Sequence, residues 1–280
     1  MATIPTDLLK RVIYSKYLFQ RAQNLEAEGH ELALAGAVLA AHDAVEMLMR
    51  VVTDKLNVQW THDFMKFWRI VEAKTQKMPP RLASIGQLND DRIGFKHKGI
   101  PPNPTTVSDR LRNALAFCEE LATEYLDLDY QTVSLADLIP KITAREAVKE
   151  AEVAIAAGIL GTAFEKLGIA FDDLLREIRQ KHGAALVGSI EIVGRAFVRD
   201  AASESLKSKL QKIAETVDAL ILGIDPAKLR RFDELTPIRQ HMASGAVTIV
   251  WRRDPENLTI HDFEFCHSFV IDFGLRHLTI

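Results

Sequence analysis

Arg92 and His97 stand at a helix end inside the segment Leu88 to Pro102, with Lys96 and Lys98 flanking the histidine. A histidine with an ordinary pKa of about 6.5 can take or give a proton at neutral pH. An arginine stays charged, and its planar fork can hold an oxyanion at two points while charge builds there. The same residues also suit a plainer role, because cations are favoured at the negative end of a helix dipole. Gly99, Pro101 and Pro102 should end the helix just beyond them. In a straight helix the five steps from Arg92 to His97 turn through about 500°, which leaves the two residues about 140° apart. They converge only if the helix loosens near Gly94, or if the second member comes from a facing subunit.

Positioning these residues is the work of helices. The chain has 280 residues, 48% of them hydrophobic and 26% charged, the balance of a globular protein of one large or two medium domains. Its net charge of −3 excludes binding to nucleic acid by bulk positive charge but not by a local basic site. With 14 glycines and 10 prolines it is too poor in turn formers for a loop-rich β protein. Periodicity predicts helices over 7–28, 32–56, 62–77, 81–98 and 106–126. Thr6 and Ser108 are the expected N-caps of the first and last of these, and Gly29 closes the first. Leu34, Val38, Ala41, Val45, Leu48 and Val52 should form the buried face of the second.

Residues 129–143 read as a connector, with Ser134-x-x-Asp137 capping a short helix. Beyond it the pattern predicts one long helix over 144–179, with Val153, Leu160, Phe164, Leu167, Phe171 and Leu174 as its core stripe. Helices follow over 187–199 and 205–222, then one opened by Asp225-Pro226 and interrupted by Pro237, then a last one over 258–278. Val247 to Trp251 is the one notable β-branched stretch, so a short β-hairpin is expected near 246–253. The fold class is therefore all-α, as two tandem up-and-down helical bundles over 1–128 and 144–280. The halves read as copies: Leu88–Arg92 aligns with Leu235–Arg239, and Phe117-Cys118 with Phe265-Cys266, at nearly equal offsets. Arg239 and His241 are then the second copy's candidates.

On Arg92-x4-His97 in a late helix, with Glu46-x3-Arg50 in an earlier one, the chain resembles the HEPN superfamily, the higher eukaryotes and prokaryotes nucleotide-binding domains. The likeness covers 1–128 well and 144–280 only weakly, as a degenerate second copy. It implies a protein of a microbial defence or toxin-type system and a metal-independent endoribonuclease that uses the RNA's own 2′-hydroxyl. Arg92 and His97 would be catalytic, Glu46, Arg50 and Asp91 supporting, and Lys96 and Lys98 would hold the RNA backbone. It also implies pairing, either as a homodimer or between the two halves of one chain. Active members carry a polar residue directly after the arginine, and Ile93 stands there instead. That favours the alternative, a non-catalytic module that binds RNA or a partner protein.

Other chemistry finds no footing. Phosphate-binding glycine loops, dinucleotide fingerprints, zinc-protease and esterase motifs are absent from the sequence, and no cofactor is expected. His261 and His267 lack the spacing of a helical zinc pair, so no metal is expected. His42 reads as a core histidine, Trp60 and Trp68 as packing anchors, and Cys118 and Cys266 as buried free thiols. The first residues lack the basic and apolar regions of a signal peptide, and the unbroken apolar runs are short of a membrane span, so a cytoplasmic protein is expected.

Overall fold

The computed structural model describes residues 4–60, 63–182, 216–217, 219–220, 222–241 and 247–278. The described residues are overwhelmingly helical, and the all-α expectation holds. They divide into two compact units, 1–135 and 136–280, so the division falls inside the expected connector.

The first unit holds α1 (Thr6–Glu28), α2 (Glu31–Lys55), α3 (Phe67–Thr75), α4 (Leu82–Lys98) and α5 (Pro104–Leu126). Gly29 ends α1 at φ 73°, a left-handed conformation that glycine adopts at little cost. Thr6 is the first residue of α1 rather than its cap, since Pro5 precedes it and supplies no side-chain acceptor. Asn103, not Ser108, caps α5: its side chain accepts from Thr105 N at 3.1 Å, and Pro104 takes the first helical position. Ser108, a turn later, bonds Glu26 of α1 instead. The expected start of α3 at His62 lies outside the described residues.

α2 is the central helix, and every residue of its expected stripe is buried. Small residues let α1 approach it closely: a Cβ on Gly36 would stand 3.3 Å from Leu25 Cδ1. By length and mean hydropathy (1.5 over its most apolar window) α2 could cross a bilayer, yet 61% of that window is buried inside the protein. A second cluster joins α3 to α5. The Trp68 ring lies 5.4 Å from Phe67 and 5.6 Å from Phe117, and its Nε1 donates to Pro80 O at 2.9 Å, just ahead of α4.

The second unit holds α6 (Ile142–Ala156), α7 (Leu160–His182), α8 (Pro226–Leu235), strands β1 (Ile238–His241) and β2 (Val247–Val250), and α9 (Ile260–Leu278). The single helix expected over 144–179 is two, because Gly158 takes φ 74° and turns the chain. The break resets the helical phase. Phe164, Leu167, Phe171 and Leu174 stay buried, while Val153, assigned to the same stripe, is 70% exposed. Asp225 caps α8 as expected, accepting from Ala227 N at 2.7 Å. Val247–Val250 is a strand, but it pairs antiparallel with Ile238–His241 rather than within 246–253. The helix expected over 187–199, and most of the one over 205–222, lie outside the described residues. Phe171, Phe232 and Phe269 form the aromatic centre of this unit, with Phe232 and Phe269 stacked at 4.7 Å.

Candidate functional site

α4 remains regular through its last turn. Gly99 N bonds Phe95 O at 3.0 Å and Ile100 N bonds Gly94 O at 3.1 Å, while Gly99 at φ 67° ends the helix. The helix does not loosen at Gly94, so the two residues stay about 140° apart on it. A single α4 therefore does not bring Arg92 and His97 to one point.

Arg92 is half-buried, and Lys96, His97 and Lys98 are exposed. None of the four makes a hydrogen bond or ion pair with the described residues. Asp91, next to the arginine, is already engaged: its Oδ2 accepts from Arg110 Nε at 2.8 Å, and Arg110 also donates to Gln87 at 2.6 Å. Arg110 thus neutralises the nearest carboxylate and straps α4 to α5. The result is a helix end with four cationic or proton-carrying side chains and no counterion to them among the described residues. Such a tip can take up phosphates, and the helix dipole already favours the positive charge there.

Glu46 and Arg50 form the i,i+4 pair expected of them. Arg50 Nη2 and Nε reach Glu46 Oε1 at 2.7 and 3.2 Å. The guanidinium also lies 4.9 Å from the Trp60 ring, so the pair braces α2 against the segment that leads to α3.

Helix directions decide whether this pair can serve the α4 tip. Arg81 reaches Glu120 while Arg110 reaches Asp91, so α4 and α5 are antiparallel. Lys55 at the end of α2 meets Asp127 at the end of α5, so α2 and α5 are parallel and α4 opposes α2. The tie between α2 and α4 is His42 Nε2 to Asn89 Oδ1 at 3.1 Å. Arg50 lies two turns beyond that tie towards the end of α2, and His97 about two turns beyond it towards the end of α4. At 1.5 Å per residue, Arg50 and His97 are separated by about 24 Å along the bundle. Within one chain the Glu46–Arg50 pair does not join the Arg92–His97 tip.

His42 is a core histidine as expected, 1% exposed with its ring 4.3 Å from that of Phe64 and tilted by 31° to it, but it is satisfied on one side only. Its Nδ1 has no hydrogen-bond partner. Asn89 and Arg110 were not singled out from the sequence. Asn89 follows Ile85 and Leu88 in the buried stripe of α4, and a polar residue at such a position needs a partner, which was the available signal.

Arg239 and His241, the second-copy candidates, fall on β1, paired with Ile249 and Val247. The alignment of Leu235–Arg239 with Leu88–Arg92 sets a strand against a helix. The cause is local: α8 ends at Leu235, and Pro237, which has no N–H and a restricted φ, cannot continue it. Both expected free thiols are buried, and burial pushes Cys118 up to about 12 and Cys266 well above the ordinary thiol range.

No protein-family model matches the chain, and neither does any curated protein or solved structure.

Proposed function

We propose that this chain acts on RNA through the basic end of α4, as a HEPN-like protein of a microbial defence or toxin-type system. Cleavage, on this reading, occurs only where two copies bring Arg92 of one and His97 of the other to a single phosphodiester. The observation that carries the reading is the α4 tip itself: Arg92, Lys96, His97 and Lys98 have no partner among the described residues, while Asp91 beside them is held by Arg110. In the cleavage step His97 takes the proton of the 2′-hydroxyl and the freed O2′ attacks phosphorus. Arg92 bears on a non-bridging oxygen as charge builds, and the P–O5′ bond breaks with a proton going to O5′. The products are a 2′,3′-cyclic phosphate and a 5′-hydroxyl, and the chemistry requires no metal.

A second reading is a module that binds RNA, or a partner protein, without turnover. Ile93 after the arginine and the divergence of Arg92 from His97 on one helix favour it.

The test is RNA cleavage in EDTA by the wild type, Arg92→Ala, His97→Ala and an equal mixture of the two variants. A shared site predicts cyclic-phosphate ends for the wild type, loss in each variant with unchanged circular dichroism, and partial recovery in the mixture. Recovery follows because one of the two composite sites regains both residues. Wild-type cleavage lost in each variant but not recovered on mixing overturns the two-copy arrangement. No wild-type cleavage, together with salt-dependent RNA binding, moves the assignment to the binding module. Absence of both overturns the RNA reading.

A further inference from the structure

We propose that His42, Asp43 and Glu46 of α2 form a binding site for one borderline divalent cation, of the zinc, cobalt or nickel kind, with water completing its coordination. The site is independent of the RNA reading and lies away from the α4 tip.

His42 is the centre of the case. Its ring is fixed by two contacts, the tilted Phe64 ring at 4.3 Å between centroids and the Nε2 hydrogen bond to Asn89 Oδ1 at 3.1 Å. Because Asn89 presents its carbonyl oxygen, Nε2 carries the proton and donates. A neutral imidazole has only one N–H, so Nδ1 is left as a bare lone pair. That Nδ1 is buried and has no hydrogen-bond partner. It faces Asp43 Oδ1 at 3.8 Å and Glu46 Oε2 at 4.0 Å. A lone pair set between two carboxylates is unfavourable unless a positive charge sits among them.

The three ligand atoms lie within 4.8 Å of one another. Ligands at about 2.0–2.1 Å from a tetrahedral zinc are about 3.4 Å apart, so the two nitrogen–oxygen distances have to shorten by about half an ångström and the gap between the carboxylates by at most about 1.4 Å. Asp43 is 59% and Glu46 26% exposed, which leaves both free to adjust and opens a path from solvent. Arg50 does not block the site, since both of its donors go to Glu46 Oε1 and Oε2 remains available. The Asn89 carbonyl plays the part usual for metal-bound histidines, where the second ring nitrogen donates to a carbonyl and fixes tautomer and ring plane. One imidazole and two carboxylates suit zinc, cobalt or nickel better than a hard cation such as magnesium, which prefers all-oxygen surroundings.

The test uses the full chain stripped of metal, titrated with Zn²⁺ against a chromogenic chelator, with imidazole nitrogen shifts read by NMR. The expected result is one equivalent bound per chain, a large shift confined to His42 Nδ1, and a thermal midpoint that rises with Zn²⁺. Asp43→Asn and Glu46→Gln should each weaken binding at least tenfold. His261→Ala, which removes the exposed His261–Glu264 pair, should leave it unchanged. The exposed Asp43 keeps the test readable even where His42→Ala disturbs the core. No stoichiometric uptake, uptake indifferent to both carboxylate changes, or a His42 Nδ1 resonance that does not move in excess Zn²⁺ would each overturn the proposal.

Discussion

Arg92–His97 and Arg239–His241 resemble each other as strings of residues and sit on different backbones. The first pair ends a regular helix that Gly99 closes; the second lies on a strand that begins just after Pro237. What separates them is one punctuating residue and its position. A glycine after the basic residues lets the helix run to its natural end and leaves their charge at the negative pole of the dipole. A proline before them stops the helix early and delivers the same residue types to an antiparallel ribbon. Short matches between helical sequences therefore say little about equivalence until the breakers between them are aligned as well.

The largest expected effect comes from the aromatic anchors that hold the two segments. Trp68→Ala should cost about 3–5 kcal/mol in the first unit, and Phe232→Ala a similar amount in the second. Pulsed thiol labelling separates them, since Cys118 and Cys266 are buried and reluctant to ionise. Trp68→Ala should raise Cys118 labelling, and Phe232→Ala that of Cys266. A thiol that stays protected when its own anchor is removed would contradict the core assigned to that unit.

RNA affinity sharpens the contrast between the two arginines. Arg92→Ala should weaken binding and lower the salt slope by about one phosphate contact, with Lys96→Ala and Lys98→Ala acting likewise. Arg239→Ala is expected to cost less, and equal losses at Arg92 and Arg239 would restore the equivalence that the backbones deny.

The start of α9 offers a smaller effect with a pH signature. Thr259 and Asp262 bond each other reciprocally: Asp262 Oδ2 accepts from Thr259 N at 3.2 Å, and Thr259 Oγ1 accepts from Asp262 N at 3.2 Å. Burial pushes the Asp262 carboxyl up, but the bonds from Thr259 and Arg231 outweigh it and hold it below the ordinary aspartate value of 3.8. A depressed carboxyl stabilises the fold fully above that ordinary value and loses its contribution as pH falls through the folded one. Asp262→Asn should flatten the acid limb of the stability curve, and Thr259→Ala should cost about 1 kcal/mol at neutral pH. An unchanged acid limb in Asp262→Asn would count against the cap. Smallest of all, Glu46→Gln should cost a few tenths of a kcal/mol by urea denaturation, as exposed i,i+4 pairs do. A loss above about 1 kcal/mol would give that pair a larger role than bracing.

Much of the fold was legible because the signals were local. The α2 stripe, the Gly29 and Gly99 stops and the Asp225-Pro226 start are each set within a turn or two of chain. The misplaced features depended on a single residue's conformation or on a distant partner. Gly158 looks tolerable inside a helical pattern, yet at φ 74° it splits the helix and turns Val153 outward. The strand around Val247 was visible from its β-branched residues, but its partner at Ile238–His241 was not, because pairing register is a property of two segments.

By itself, then, the sequence determined the helical class, the helix that bears Arg92 and His97, and the basic charge at its end. Those follow from periodicity, breakers and the dipole, all of which act over a few residues. Only the tertiary structure decided that α4 runs against α2, which carries His97 and Arg50 to opposite ends of the bundle, and that Arg110 takes Asp91 out of reach. It alone placed Asn89 on Nε2 of His42, leaving Nδ1 bare before two carboxylates. These outcomes come from contacts between residues far apart in the chain, where packing direction and burial, not local pattern, determine which polar groups find partners.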